Sequence, residues 1–381
     1  MGRRYPPLRG AHYRADRLTE VGFWTPDLTG DIIQSEDRIV LEVYIPQQGI
    51  NFRAAEQTIT FDKVQIPLVK QGEFVWGVIE GMRPGRRDRA GCFYWLRYTD
   101  QDGRVHIIRD PLAYSLPYGI FAPAELYDMR LLQRQRADRS YFRRTGSSYS
   151  DSEIPRLEAP TNILQLHVKT ASTQGTFEGL TAIYQTISDK LTNGEELTAQ
   201  EAVYAGYDAI QLLPVVPTIE YRREDTPGDY EFFAILSETN GEEQLPATES
   251  HTPDLSPKVA QAVLRKPNTQ NWGYDVPILG SSTTNPSVLG SLRPDEVIDF
   301  ITTLHNFSEG PIYLIYDLVY GHADNQALES MTHQFFKGPN MYGQDLNHQL
   351  PQVRAILLEM QRRKINTGAD GIRVDGGQDF R

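Results

Sequence analysis

Apolar residues in the first third of the chain come in short runs broken by turn residues. Arg38-Ile39-Val40-Leu41-Glu42-Val43-Tyr44-Ile45 is closed by Pro46, and Phe74–Ile79 is separated from Cys92–Tyr98 by Arg83-Pro84-Gly85. Gln101-Asp102-Gly103 then precedes Val105-His106-Ile107-Ile108. β-Branched and aromatic runs between turn signals predict strands, the last pair joined as a hairpin. No helical period intervenes, so residues 31–125 are expected to form a small β-sandwich. Residues 1–30, rich in Arg, Pro and Gly, show no sustained period and are expected to be an irregular lead-in. Residues 126–160 are expected to be a linker. Arg130, Arg134, Arg136, Arg139, Arg143 and Arg144 lie there in a polar stretch, read as a solvated helix rather than a patch for an anionic partner.

From residue 161 the pattern changes to strand–helix–strand. Ile163–Val168 reads as a buried strand, Ala209–Leu213, Ile312–Val319 and Gly371–Asp375 as further strands, and helical stretches lie at Leu180–Leu191, Asp295–Leu304 and Gln352–Lys364. Apolar strands alternating with helices predict βα units and a parallel sheet. The polar excursion over about residues 218–290 is longer than an ordinary βα loop and is expected to be functional. In a parallel α/β architecture ligands bind where strands end, so the polar residues there are informative. Tyr313–Tyr320, which contains Asp317, runs into Gly321-His322. Arg373 and Asp375 alternate with Ile372 and Val374, which puts both on one strand face. An Arg beside an Asp favours the ionised carboxylate, the form a covalent glycosyl transfer uses as nucleophile.

Five segments together resemble glycoside hydrolase family 13, the α-amylase family. Tyr316-Asp317-Leu318-Val319-Tyr320-Gly321-His322 resembles its Asp-Val-Val-Tyr-Asn-His signature, and Gly371-Ile372-Arg373-Val374-Asp375 its Gly-Phe-Arg-Leu-Asp. Asn271-Trp272-Gly273-Tyr274-Asp275-Val276 is similar to a segment of branching enzymes and trehalohydrolases. Gly206–Val215 resembles the second barrel strand, and Ile163–Val168 with Gly175-Thr176-Phe177 the first. The β-rich start, closed by Asp110-Pro111-Leu112-Ala113, is similar to a family-48 carbohydrate-binding module. The resemblance implies a TIM (β/α)8 barrel of the α-amylase type, beginning at residue 161 and preceded by the β-sandwich. It makes Asp375 the nucleophile and Arg373 its orienting partner, with His322 and Tyr274 binding the reacting sugar and Asp317 supporting the site. The implied activity is retaining hydrolysis of α-glucosidic bonds in an α-glucan or small α-glucoside. A transglycosylase, such as a branching or trehalohydrolase-like enzyme, and a non-catalytic carbohydrate-binding protein are the alternatives.

Two departures refine the picture. Gly321 stands where many members have a calcium-binding Asn, so no metal or cofactor is expected. Gly376-Gly377-Gln378-Asp379-Phe380 lacks the Lys-His of starch-degrading members and points to a specialised enzyme such as a glucosylglycerol hydrolase.

Composition narrows the classes further. With 38 Lys+Arg against 50 Asp+Glu the net charge is −12, which disfavours nucleic-acid binding as the main task. No apolar run approaches the ~20 residues of a membrane span. Cys92 is the only cysteine and the first residues lack a secretory pattern, so a reducing cytoplasm is expected. The 381 residues accommodate a β-module and only four βα units. A retaining glycosidase needs a second carboxyl group roughly 5–5.5 Å from the first, and the family's acid/base Glu follows a fifth strand. The chain is therefore expected to be an N-terminal fragment, inactive alone and prone to aggregate, with residues 31–125 folding by themselves.

Overall fold

The computed structural model describes residues 10–30, 32, 39–146, 157–221, 231–240 and 258–376. The alternating runs of the first third form strands in two antiparallel sheets. One has the order Gly10–Tyr13, Thr19–Trp24, Phe74–Ile79, Val69–Gln71. The lead-in expected to be irregular thus supplies two strands. Its hairpin is hidden in sequence because the turn is polar: Arg17 adopts a positive φ of 68°, and the Leu18 amide donates to the Asp16 carboxylate. Gly10 is required by close approach, since a Cβ there would lie 2.2 Å from a carboxylate oxygen of buried Asp110. That carboxylate also accepts from the Ala11 amide at 2.9 Å and the Tyr94 hydroxyl at 2.6 Å.

The larger sheet runs Phe233–Asn240, Lys258–Arg265, Glu56–Pro67, Val40–Pro46, Phe93–Thr99, Val105–Ile108, and Ala124–Glu125 also pairs with Phe93–Thr99. Its first two strands come from the 218–290 excursion. They return to the N-terminal sheet in the register Lys258 opposite Lys63 and Arg265 opposite Glu56. Alternation of side chains gives this sheet two apolar faces. Leu41, Val43, Tyr94 and Leu96 pack with Val21, Phe23, Val75 and Ile79 of the smaller sheet. Tyr44, Phe61, Phe93 and Phe233 face the other way, into one continuous core with Phe177, Leu180, Ile210 and Leu314.

The strand–helix–strand half folds as the periodicity predicts. Ile163–Leu166, Ala209–Leu212, Tyr313–Val319 and Gly371–Asp375 form a four-stranded parallel sheet whose spatial order equals their order in the chain. The connections contain the helices Phe177–Asn193, Ala199–Ala205, Asp295–His305 and Pro351–Ile365. Thr176 caps the first of these by accepting from the Gly179 amide, and Gly194 ends it in the left-handed region. Thr198 and Glu201 form a reciprocal capping box on the second. The central strands are buried, whereas Ile163, at the outer edge, is 46% exposed. The first strand, read as buried from its sequence, is an edge strand whose apolar side chains are only partly covered.

Residues 126–160, expected to be a linker, include the helices Met129–Gln135 and Arg139–Gly146. Arg136, counted among the solvated arginines, is buried instead and donates to both carboxylate oxygens of Asp138 at 2.6 and 2.7 Å.

Candidate active site

Register brings the expected carboxylates together. The last two strands pair with Asp317 opposite Arg373 and Val319 opposite Asp375. Arg373 Nη1 lies 2.8 Å from both carboxylate oxygens of Asp317 and 2.8 Å from Asp375 Oδ1, so one guanidinium bridges the two acids. Asp317 is fully buried, and the Asp375 side chain is partly open to solvent. The Tyr274 hydroxyl donates to Asp317 Oδ2 at 2.9 Å. Burial, then the hydrogen bond to Asp317, pushes the Tyr274 phenol up to about 12, so it remains a neutral donor at physiological pH. Arg373's own hydrogen bonds to Asp317 raise it above its already high ordinary value. Asp317 thus holds Arg373 and Tyr274 in place, while Asp375 presents its carboxylate beside the guanidinium.

Tyr274 is delivered by a loop that crosses several strand ends. The Asn271 carbonyl lies 3.1 Å from His167 Nε2, at the end of the first strand. Gly273, with φ +113°, passes so close to Pro214 after the second strand that a Cβ would come within 2.4 Å of its carbonyl oxygen. Asn271 Oδ1 accepts from the Gly273 amide at 2.8 Å, and its amide nitrogen donates to Asp275 at 2.8 Å. The Val276 carbonyl accepts from the Asp324 amide at 2.8 Å. The Asn-Trp-Gly-Tyr-Asp pattern is therefore a folding instruction: Asn and Asp close the turn, and Gly permits the crossing.

His322 begins the short strand His322–Ala323, which pairs with Gly343–Leu346 and is buried. Its neighbour Gly321 has a physical reason to be glycine. A Cβ there would lie 2.6 Å from the Gly376 carbonyl oxygen, so the segments bearing His322 and Asp375 touch through two glycines. An Asn in this position would have no room. Among the described residues no group of three or more His, Cys, Asp and Glu side chains could hold a metal ion. No helix among them is long and apolar enough to cross a membrane. The reading of residues 377–380 falls outside the described residues.

All five expected site residues thus lie on adjoining segments around the ends of the third and fourth strands. Sequence reasoning did not single out Trp272, whose ring lies 4.6 Å from that of Tyr274, or Tyr342, 4.8 Å from His322. Trp272 stands inside a motif already noticed. Tyr342 is flanked by Asn340 and Gly343, a turn signal bearing two large apolar residues, which was the available hint.

No curated protein matches the chain. Several solved structures share its fold. A mutant pullulanase from Paenibacillus barengoltzii complexed with maltotriose has 17% identity and a TM-score of 0.55 over 96% of this chain and 48% of its own. A pullulanase from Anoxybacillus sp. LM18-11 complexed with maltotetraose has 14% identity and a TM-score of 0.55 over 97% and 45%. The pullulanase from Bacillus acidopullulyticus has 15% identity and a TM-score of 0.55 over 97% and 38%. The chain spans less than half the length of these structures. Residues 7–381 match the model of a family described as hypothetical glycoside hydrolase 5, and the chain belongs to that family.

Proposed function

We propose that the chain carries the nucleophile side of a retaining α-glucoside hydrolase of the amylase type. The observation that carries this is the Asp317–Arg373–Asp375 bridge at the strand ends, with Tyr274 hydrogen-bonded to it. In this reading the Asp375 carboxylate attacks the anomeric carbon as the bond to the leaving oxygen breaks, giving a glycosyl ester. Water then attacks the same carbon and releases the sugar with retained configuration. Arg373 orients Asp375, the Tyr274 ring offers a flat face to the sugar's C–H groups, and His322 bonds a sugar hydroxyl. The leaving oxygen must receive a proton from a second carboxyl group. Asp317 is occupied by Arg373 and Tyr274 and is not the donor; in the α-amylase family, which the chain resembles, that task falls to a Glu after a fifth strand. The two N-terminal sheets act as a sugar-binding β-sandwich of the family-48 kind. The substrate is an α-glucan or a small α-glucoside, with glucosylglycerol as the specialised candidate.

A fluoroglucosyl fluoride trap tests the mechanism on protein expressed from the complete reading frame. Peptide mass spectrometry should find one glycosyl group on Asp375. An adduct on another residue, or turnover of maltotriose or glucosylglycerol without any adduct, would overturn the assignment. Saturable sugar binding with no turnover would favour the non-catalytic alternative.

A further inference from the structure

The hairpin Phe336–Asn340 with Gly343–Leu346 has a built feature that the proposed chemistry does not use. Its base is anchored by buried Phe335 and Phe336. Its second strand is clamped onto His322–Ala323, because Gly343 approaches so closely that a Cβ would lie 2.3 Å from the Ala323 carbonyl oxygen. Gln344 Nε2 donates to Asn325 Oδ1 at 2.8 Å. Asn340 ties the tip, accepting from the Tyr342 amide at 2.8 Å and donating to Asp345. All this order holds the backbone that carries Tyr342. The Tyr342 ring lies 4.8 Å from His322 at an interplanar angle of 31°, yet the residue is 58% exposed. The ring thus leans on the histidine at a tilt, and more than half of the residue is open to solvent.

An exposed aromatic ring on an ordered hairpin, beside the histidine proposed to bind sugar, has the make-up of a stacking platform. Its C–H-accepting face is apolar, and pre-ordering it removes an entropy cost that binding would otherwise carry. A sugar on the outer face of Tyr342 is separated from His322 by the thickness of that ring. It is therefore a different sugar from the one His322 touches. Trp272, 62% exposed and packed at 4.6 Å against Tyr274, is a separate aromatic element on the other sugar-binding residue.

We propose that Tyr342 is the platform for the sugar unit next to the one held by Tyr274 and His322, so that the site recognises at least two linked rings. This rests on the function proposed above. Equilibrium titrations with maltotriose and with methyl α-glucoside test it, using the protein from the complete reading frame in an Asp375→Asn background so that sugar is bound and not turned over. Tyr342→Ala should weaken maltotriose about tenfold and leave methyl α-glucoside unchanged. Tyr342→Leu, which keeps an apolar cover over His322 without a flat ring, should show the same split, and Tyr342→Phe should bind both sugars like the parent. Unchanged maltotriose affinity in the Ala and Leu variants, with binding still lost in Tyr274→Ala, would overturn the platform and leave the proposed site standing. Equal weakening of both sugars would reduce Tyr342 to a support for His322 and also overturn it. A parent protein that binds neither sugar would overturn the proposed function and the platform together.

Discussion

At the residue scale, the proposed chemistry rests on one guanidinium shared by two acids of unequal exposure. Buried Asp317 receives both Arg373 and the Tyr274 hydroxyl, so its task is positional; Asp375 keeps a carboxylate on the open side. In protein from the complete reading frame, Asp375→Asn should leave the thermal midpoint near that of the parent and lower kcat by roughly a thousandfold or more, since an amide cannot form the proposed ester. Stopped assays on the α-glucoside found by substrate screening check this, and near-parental turnover would refute it. Gly321 gives a second prediction. Replacing it with Asn forces a side chain against the Gly376 backbone, where even a Cβ would sit 2.6 Å from the carbonyl oxygen. The variant should lose about 1–3 kcal/mol by urea unfolding, as overpacking does elsewhere. An unchanged urea midpoint would show that the two segments part easily.

At the element scale, the helices Met129–Gln135 and Arg139–Gly146 dock on the end of the parallel sheet opposite the candidate site. His305, at the end of helix Asp295–His305, lies 2.7 Å from Asp138 through Nδ1 and 3.0 Å from Asp370 through Nε2. Arg136 pairs with Asp138, and the Tyr141 hydroxyl donates to Asp370 at 2.6 Å while its ring stacks on the histidine at 3.8 Å. Burial opposes the charged imidazole, but the two carboxylates together outweigh it and raise His305 above 6.5. Burial likewise opposes the Asp138 carboxylate, but His305 and Arg136 bring it down to about 2 from 3.8. A raised histidine contributes stability that is complete below its unfolded value and lost as pH rises through the folded one. A depressed aspartate contributes stability that is complete above its unfolded value and lost as pH falls towards 2. The two helices should therefore be held most firmly between about pH 4 and 6.5. Protection against hydrogen exchange across 129–146, taken relative to the intrinsic amide rate at each pH, should fall on the alkaline side, and His305→Gln should flatten that fall. Protection that does not change with pH would rule the network out as the clamp.

At the scale of the whole molecule, the β-rich part and the parallel sheet share structure instead of meeting at a simple boundary. The strand Lys258–Arg265 lies along Glu56–Pro67, although most of the chain between them belongs to other elements. Residues 39–125 expressed alone would expose that long strand as an open edge, a template for aggregation. Such a fragment should precipitate or unfold at lower urea than the whole chain; equal solubility and stability would contradict this. A second tie is ionic. Arg293, just before helix Asp295–His305, donates to both oxygens of Glu125 at 2.8 and 3.0 Å, and both residues are buried. The same carboxylate accepts from the Gly91 amide at 2.9 Å and the Ser115 hydroxyl at 2.8 Å. Glu125→Ala would leave the guanidinium buried without its carboxylate and should cost about 3–5 kcal/mol. Glu125→Ala with Arg293→Met should recover much of that loss, and a double variant as unstable as the single one would argue against the ion pair as the tie.

Local pattern alone determined a good deal of this protein. Strand and helix periods placed the four parallel strands, and alternation put Arg373 and Asp375 on one face, because those signals lie within a few residues of each other. The resemblance grouped Tyr274 with Asp317, and the fold joins these two by a hydrogen bond. Tertiary structure decided what depends on partners distant in sequence. The strands Gly10–Tyr13 and Thr19–Trp24 exist because Phe74–Ile79 and Asp110 receive them, and nothing in a polar turn announces that. The hairpin within 218–290 joins a sheet begun much earlier in the chain, which no local period can reveal. Gly321, a departure from the resembled family's calcium-binding Asn, has its physical reason in the Gly376 backbone packed against it. Tyr342 became a candidate only when the fold laid its ring on His322. Each of these depends on a close approach between distant segments, and such contacts are set by packing that a linear pattern does not encode.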